Sequence, residues 1–192
     1  MIPSLPQAAA ALYGAWRLLR FDREGLQYFE AAGAGAFWRS FFAAVLIAPG
    51  YAILVALHLA ESDVAAGAVS TFTIHVLAYV ISWTAFPLVV HSVAQGLGRA
   101  DHWVGFVIAL NWSKVLQMAI YLPIALLAAS GALGLNGPGL ATLLGLTAIL
   151  IYQWFVTRSA LDITGPQAAG LTGLDVVLGI TITAFADAAV MG

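Results

Sequence analysis

The sequence predicts an all-α, polytopic membrane protein, a bundle of five transmembrane helices with an amphipathic interfacial helix at its N-terminus. Hydrophobic residues make up 62% of the 192 residues, charged residues make up 8%, and the mean hydropathy is +0.95. In a soluble domain about a quarter of all residues are charged, so this chain has too little charge to cover a water-facing surface. Five apolar stretches and a one-sided distribution of arginine complete the argument.

The five apolar stretches are each long enough to cross a bilayer. A helix needs roughly 20 mainly apolar residues for this, because each residue rises about 1.5 Å and the hydrocarbon is about 30 Å thick. We predict spans at about residues 38–60, 68–94, 102–130, 139–158 and 171–190. The breaks between them are too short for a second domain, so the chain divides into a cytoplasmic or interfacial segment, 1–36, and a transmembrane domain, 37–192.

The arginines predict the orientation, because loops rich in Lys and Arg stay in the cytoplasm. They precede or open span 1, follow span 2 and close span 4: Arg17, Arg20, Arg23, Arg39, Arg99 and Arg158. With an odd number of spans, all of them fall on the side of the N-terminus. We expect a multi-pass inner-membrane protein with a cytoplasmic N-terminus and a periplasmic C-terminus. The first arginines follow an alanine-rich stretch, whereas a cleaved signal peptide begins with its positive charges.

The segment ahead of span 1, AALYGAWRLLRFDREGLQYFE (10–30), has an amphipathic pattern. Leu12, Trp16 and Leu19 recur at helical spacing, while Arg17 and Arg20 lie on the other face. We predict that Trp16, Arg17 and Arg20 anchor this helix in the lipid headgroup layer. A helix packed on the cytoplasmic ends of the spans is the equal alternative.

Span 1 carries a ridge of small residues four apart: Ala44, Ala48, Ala52, Ala56 and Ala60. Small side chains let a neighbouring helix come close, which suits an oligomer interface. Helices within one bundle use the same device, and we favour packing against another span of this chain.

Polar residues in spans 2, 3 and 5 predict a partly polar bundle interior: His75, Tyr79, Asn111, Lys114 and Asp187. Depth along each predicted span puts Lys114 about 18 Å from the cytoplasmic edge, Asp187 about 24 Å and Asp175 about 6 Å. A buried lysine without a counter-ion is costly. We therefore predict a buried cluster of Lys114, Asp187 and His75, with Asn111 and Tyr79 beside it.

Lys114 has a second interpretation. The stretch VLQMAIYLPIALLAASGALG (115–134) is long enough to span alone. Lys114 would then extend its stem to the cytoplasmic interface, and residues 102–113 would form an interfacial or re-entrant piece. The sequence leaves both interpretations open.

The sequence contains no motif for catalysis, metal or cofactor. There are no cysteines, no His/Asp/Glu set with metal-ligand spacing, no phosphate loop and no Gly-x-Ser-x-Gly turn. A net charge of −2 without a basic stripe excludes a nucleic-acid partner. We predict a protein that is not an enzyme, uses no cofactor, and has the lipid bilayer and other membrane proteins or a second copy as partners. The alanine-rich, lysine-poor composition is typical of a high-GC bacterium.

The stretches FWRSFFAAVLIAPGY (37–51) and YQWFVTRSALDITGPQAAGL (152–171), with five spans and a cytoplasmic N-terminus, resemble the Yip family of Rab-interacting membrane proteins and its bacterial relatives. Family members often carry an Asp-Leu-Tyr-Gly-Pro-like sequence in a polar N-terminal region. The nearest string here, DITGP (162–166), lies between spans 4 and 5. The resemblance implies a non-enzymatic membrane scaffold or adaptor.

Two functions therefore remain. The first is a membrane scaffold, adaptor or accessory subunit, and the second is a small transporter or channel whose path runs past His75, Lys114 and Asp187. A continuous water-accessible cavity reaching Lys114 would favour transport, whereas a dry groove facing lipid would favour a scaffold.

Overall fold

A computed structural model describes residues 2–30, 35–60, 62, 64–134 and 137–191 of the chain. Within these ranges all regular secondary structure is helical. The ends of the predicted domains, residues 1 and 192, lie outside the described residues, as do residues 31–34 at the end of the predicted N-terminal segment.

The helices in chain order are α1 Leu5–Leu19, α2 Gln27–Glu30, α3 Ala36–Ser40, α4 Phe42–Ala60, α5 Ala68–Gly96, α6 Trp103–Ala129, α7 Gly137–Leu161 and α8 Gly165–Met191. Short 3-10 turns precede α2 and α6. Within the described part of the chain, five stretches are long and apolar enough to cross a membrane: Ala36–Ala60, Ala68–Gly96, Ala100–Ala129, Gly137–Leu161 and Gly165–Met191. The predicted all-α, five-span bundle is confirmed.

The last helix begins earlier than the sequence predicts. It starts at Gly165 instead of residue 171, because Pro166 occupies its first turn, where a missing N–H costs no helical hydrogen bond. The side chain of Gln167 accepts a hydrogen bond from the Thr164 N–H at 2.9 Å and stabilises this start. Asp175 therefore lies about 15 Å along the helix, well inside the bundle.

The third span is one continuous helix. Because α6 runs without a break from Trp103 to Ala129, residues 102–113 do not form a separate re-entrant piece. Lys114 lies near the middle of this helix.

Helix α6 is the centre of the bundle. It packs against α1, α4 and α7, while α8 packs against α5 and α7. Every residue from 106 to 113 is buried, on all sides of the helix. On α5, α7 and α8, by contrast, large apolar side chains are exposed on the outside of the bundle: Val69, Phe72, Leu143, Leu144, Ile180 and Phe185. An apolar outer surface of this kind suits contact with a lipid bilayer.

Contacts between neighbouring loops and helix ends identify the two ends of the bundle. Arg23 and Arg99 contact the Asp162 carboxylate at 3.2 Å and 3.5 Å, so the N-terminal segment meets the α5–α6 and α7–α8 loops at one end. We call this the arginine end. At the other end, the outer end, the Ala66 N–H donates to the Val190 carbonyl at 3.0 Å.

The N-terminal helix packs on the bundle, as the alternative interpretation had it. Ala11, Ala15 and Leu18 are buried against α6 and α7, and the Tyr152 hydroxyl donates to the Ala15 carbonyl at 2.7 Å. The buried face of α1 therefore differs from the predicted apolar face of Leu12, Trp16 and Leu19. Small residues such as Ala11 and Ala15 lie on the buried face, because they allow the closest approach of the backbones.

Two glycines hold the N-terminal segment together. A Cβ added to Gly14 would lie 2.8 Å from the Gly25 carbonyl oxygen, and a Cβ added to Gly25 would lie 2.5 Å from that of Gly14. Only glycine at both positions lets the turn after α1 fold back onto the helix.

Candidate functional site: a lysine cleft and an apolar groove

Lys114 lines a cleft of about 320 Å³ between α4, α5, α6 and α7. Its ammonium lies 5.0 Å from the centre of the Trp83 ring, a cation–π contact. Among the described residues no carboxylate lies within 4 Å of it and no acceptor is hydrogen-bonded to it. We call this space the lysine cleft; its other polar lining residues are Tyr51, Tyr79, Ser82, Gln117 and Tyr121.

A line of polar side chains runs from the cleft across three spans. The Gln117 amide donates to the Gln153 side-chain oxygen at 2.7 Å, and the Gln153 amide donates to the Asp175 carboxylate at 3.3 Å. Asp175 interacts electrostatically with Lys114 through space. Asp175 is therefore the carboxylate that is electrostatically coupled to Lys114, without a direct contact between the two.

The prediction that Lys114 meets Asp187 is wrong. Asp187 lies near the outer end, where its carboxylate is 3.2 Å from the His58 Nε2. The physical reason is the early start of α8, which moves Asp175 about 9 Å deeper than predicted and brings it to the level of Lys114.

Asn111 also lies apart from Lys114. Its side chain is fully buried and donates to the Ser40 hydroxyl at 2.9 Å, and Ser40 in turn donates to the Phe37 carbonyl at 2.7 Å. Asn111 therefore joins α6 to α3 at the arginine end. It does not belong to the predicted cluster, because it lies about 4.5 Å nearer the arginine end than Lys114 and its amide is bound to Ser40.

His75 lines a second space, a groove of about 740 Å³ between the outer halves of α4 and α5. The imidazole is 8% exposed, and its Nε2 has no hydrogen-bonding partner among the described residues. Most of the lining is alanine, valine, leucine and phenylalanine. We call this space the outer groove. His75 does not line the lysine cleft.

Two tyrosines line both the groove and the cleft and stand where the two spaces meet. The rings of Tyr51 and Tyr79 lie 4.6 Å apart, and the Tyr79 hydroxyl donates to the Ala44 carbonyl at 2.6 Å. This contact, which we call the tyrosine bridge, joins α4 to α5 where their backbones are held apart. Tyr79 thus contributes to the predicted site as the boundary between its two halves.

The alanine ridge borders the outer groove. Ala48, Ala52 and Ala56 line it, and Ala52, Ala56 and Ala60 are exposed. The favoured prediction of packing within the chain therefore holds for Ala44, which packs against the buried cluster that contains Trp83 of α5, and not for the outer half of the ridge. The face of α4 that packs against α6 lies one residue away, because Gly50 lets Met118 approach: a Cβ at Gly50 would lie 2.9 Å from the Met118 sulfur.

The predicted headgroup anchors divide into two kinds. Trp16 and Arg20 are exposed, with the Arg20 guanidinium 4.8 Å from the Trp16 ring centre. Arg17 instead binds within the N-terminal segment, to the Glu24 carboxylate at 2.7 Å and the Asp22 carboxylate at 2.6 Å. These hydrogen bonds raise the pKa of Arg17 above its ordinary value, so Arg17 stabilises the turn and is not available to headgroups.

Sequence reasoning missed Trp83, Gln153 and Tyr51. Trp83 lies four residues after Tyr79 in an apolar run, and a tryptophan there reads as core. Gln153 lies in the apolar run YQWF, where no periodic polar face marked it. The signal for Gln153 was its depth, because a lone glutamine far inside a span needs a polar partner.

The described residues contain no group of three or more His, Cys, Asp or Glu side chains placed to hold a metal ion. Comparison with protein-family models, curated proteins and solved structures finds no match to this chain. The resemblance to the Yip family therefore stays a prediction from the sequence.

Proposed function

We propose that this multi-pass membrane protein is a non-enzymatic scaffold, adaptor or accessory subunit. The observation that carries the proposal is the tyrosine bridge. Among the described residues, the paired rings of Tyr51 and Tyr79 stand where the outer groove meets the lysine cleft, and in this proposal they close the way from the outer end to Lys114. The groove itself is apolar and faces the side of the bundle, as a surface for membrane partners requires.

The alanine ridge supplies the partner-binding face in this proposal. Ala52 and Ala56 are exposed on the wall of the groove and make no close packing within the chain. Small residues at four-residue spacing let a second helix approach closely. The partner is therefore a transmembrane helix of another membrane protein or of a second copy. The resemblance to the Yip family points the same way.

Site-specific photo-crosslinking in native membranes tests the proposal. A crosslinking residue at Ala56 should give a discrete adduct, and Ala52→Leu should reduce it because the added side chain blocks close approach. A crosslinking residue at Val177, which is 58% exposed on α8, is the matched control. Equal labelling at both positions, or an adduct indifferent to Ala52→Leu, would refute the ridge as the binding face.

The proposed location is a bacterial inner membrane, with the arginine end in the cytoplasm. The orientation is supported by the positive-inside rule and by the meeting of Arg23 and Arg99 at Asp162. Reporter fusions at the two termini test it. A reporter at the C-terminus that is active in the cytosol would contradict the orientation.

A small transporter is the second candidate, and the polar line from Lys114 to Asp175 favours it. Intramembrane acids and lysines often mark ion or substrate paths. Such a path would run across α6, α7 and α8 and would not pass Asp187. Proteoliposomes that show an ion flux, lost in Asp175→Asn, would replace the scaffold proposal with this one.

A further inference from the structure

The lysine cleft has a polar floor and an apolar wall. Lys114 lies about 22 Å below the outer end of α6, and Trp83 lies at the same depth along α5. Leu146 and Ile149 of α7 line the cleft nearer the outer end, about 13 Å and 18 Å deep. The α7 wall is therefore apolar, tyrosines of α4 and α6 line the cleft at similar depths, and the cation lies toward the arginine end.

The unused hydrogen-bond donors of the floor belong to Lys114. Most polar groups there are already bound: Tyr79 donates to the Ala44 carbonyl and Ser82 to the Tyr79 carbonyl. The Lys114 ammonium keeps three N–H donors without an acceptor among the described residues. Asp175 acts on it only through space and does not line the cleft. Such a site favours an anion that brings its own oxygens.

The cleft opens toward the bilayer. Leu146 on its wall is 44% exposed on the apolar side of the bundle. Side chains on a helix lean toward its N-terminus, which for α6 is the arginine end, so the lysine stem extends toward the headgroup layer on that side. An occupant enters from lipid, with its charge toward the arginine end and its apolar part toward the outer end.

We propose that the lysine cleft binds an acidic phospholipid, its phosphate against Lys114 and an acyl chain along Met118, Leu146 and Ile149. The charge of the lysine complements the phosphate, and the apolar wall continues in the direction that a lipid chain takes. A free phosphate shares the head chemistry but has no use for the apolar wall.

Lipid titration by native mass spectrometry tests this on the full-length, detergent-purified protein. Phosphatidylglycerol should bind at least about tenfold more tightly than phosphatidylcholine, because phosphatidylcholine carries the same phosphate but adds a choline cation that offsets its attraction to the Lys114 ammonium. Lys114→Met should abolish this selectivity. Arg99→Gln, which removes one positive charge at the surface of the arginine end, should keep it.

A second variant separates binding from folding. Leu146→Trp keeps the lysine and fills the mouth of the cleft at an exposed position, so it should weaken phosphatidylglycerol binding while the protein stays folded. If Lys114→Met fails to fold, this variant decides. Equal affinity for the two lipids in the unaltered protein, or unchanged phosphatidylglycerol affinity in Leu146→Trp, would overturn the site. Displacement of phosphatidylglycerol by millimolar inorganic phosphate would show that the occupant is a soluble anion and overturn the lipid assignment.

Discussion

The contact between Gly14 and Gly25 makes the docking of the N-terminal segment measurable. In Gly14→Ala the new Cβ would lie 2.8 Å from the Gly25 carbonyl oxygen and 2.9 Å from the Tyr28 Cβ. Overpacking of this kind costs about 1–3 kcal/mol. Replacing a helical glycine by alanine also gains up to about 1 kcal/mol of helix propensity, so a control must carry the same gain without the clash.

Gly105→Ala is that control, because Gly105 is also helical and an added Cβ there meets nothing within 4 Å. The difference between the two variants isolates the clash, about 1–3 kcal/mol. At about 1.4 kcal/mol per factor of ten, the open population should rise by about 5-fold to 150-fold. Trypsin cleavage at Arg20 and Arg23 in detergent measures this, since cleavage follows the open population when reclosing is fast.

Cleavage of Gly14→Ala within about twofold of Gly105→Ala would refute the close approach, because the smallest expected difference is about fivefold. Gly25→Ala should behave like Gly14→Ala or more severely, since its Cβ would lie 2.5 Å from the Gly14 oxygen. The two substitutions disturb one contact, so their effects in the double variant should fall short of additivity.

Tyr152→Phe removes a buried hydrogen bond to α1 and should cost about 1 kcal/mol, seen as faster trypsin cleavage of the N-terminal segment; an unchanged rate would contradict it. Phe106→Ala should lower the free energy of unfolding by about 3–5 kcal/mol, whereas Phe185→Ala, at a side chain 74% exposed, should change it by less than about 0.5 kcal/mol. Unfolding titration in SDS compares the two variants, and equal losses would contradict the placement of Phe106 in the core. Asp175→Asn should cost about 1.5–3 kcal/mol through a hydrogen bond to a charged group, and Asp187→Asn at most about 1 kcal/mol. The reverse order in the same titration would contradict the burial of the Asp175 contact and the exposure of the Asp187 contact.

The spans were predictable because length and hydropathy decide them almost alone. Their polar contacts were not, because they depend on depth, and depth depends on where each helix begins. Treating Pro166 as part of a loop put Asp175 near the membrane edge and Asp187 beside Lys114. Proline is well tolerated in the first turn of a helix, and Pro166 lies in the first turn of α8. An error of six residues in one boundary, about 9 Å, was enough to exchange the two acids.

The buried faces of α1 and α4 were missed for a common reason. Hydrophobic periodicity gives weight to large side chains such as Trp16, which the structure leaves exposed. Close packing in both helices instead uses small residues, Gly14 and Ala15 in α1 and Gly50 in α4. A pattern of large residues predicts that a helix is amphipathic, but the small residues determine which neighbour it approaches.

The lengths of the helices bear on the two sequence interpretations of Lys114. Helix α5 has 29 residues and α6 has 27, or about 40 Å and more, against about 30 Å of hydrocarbon. We expect the surplus to project at the arginine end, because α1 and its charged turn pack there and ions are costly in lipid. Measured from the outer end, Lys114 then lies about 22 Å into a layer of about 30 Å. Lys114 thus lies near the middle of its helix and is still close enough to the arginine end for its stem to reach the headgroups. The interpretation as a lysine at membrane depth and the interpretation as an interfacial lysine therefore describe the same position.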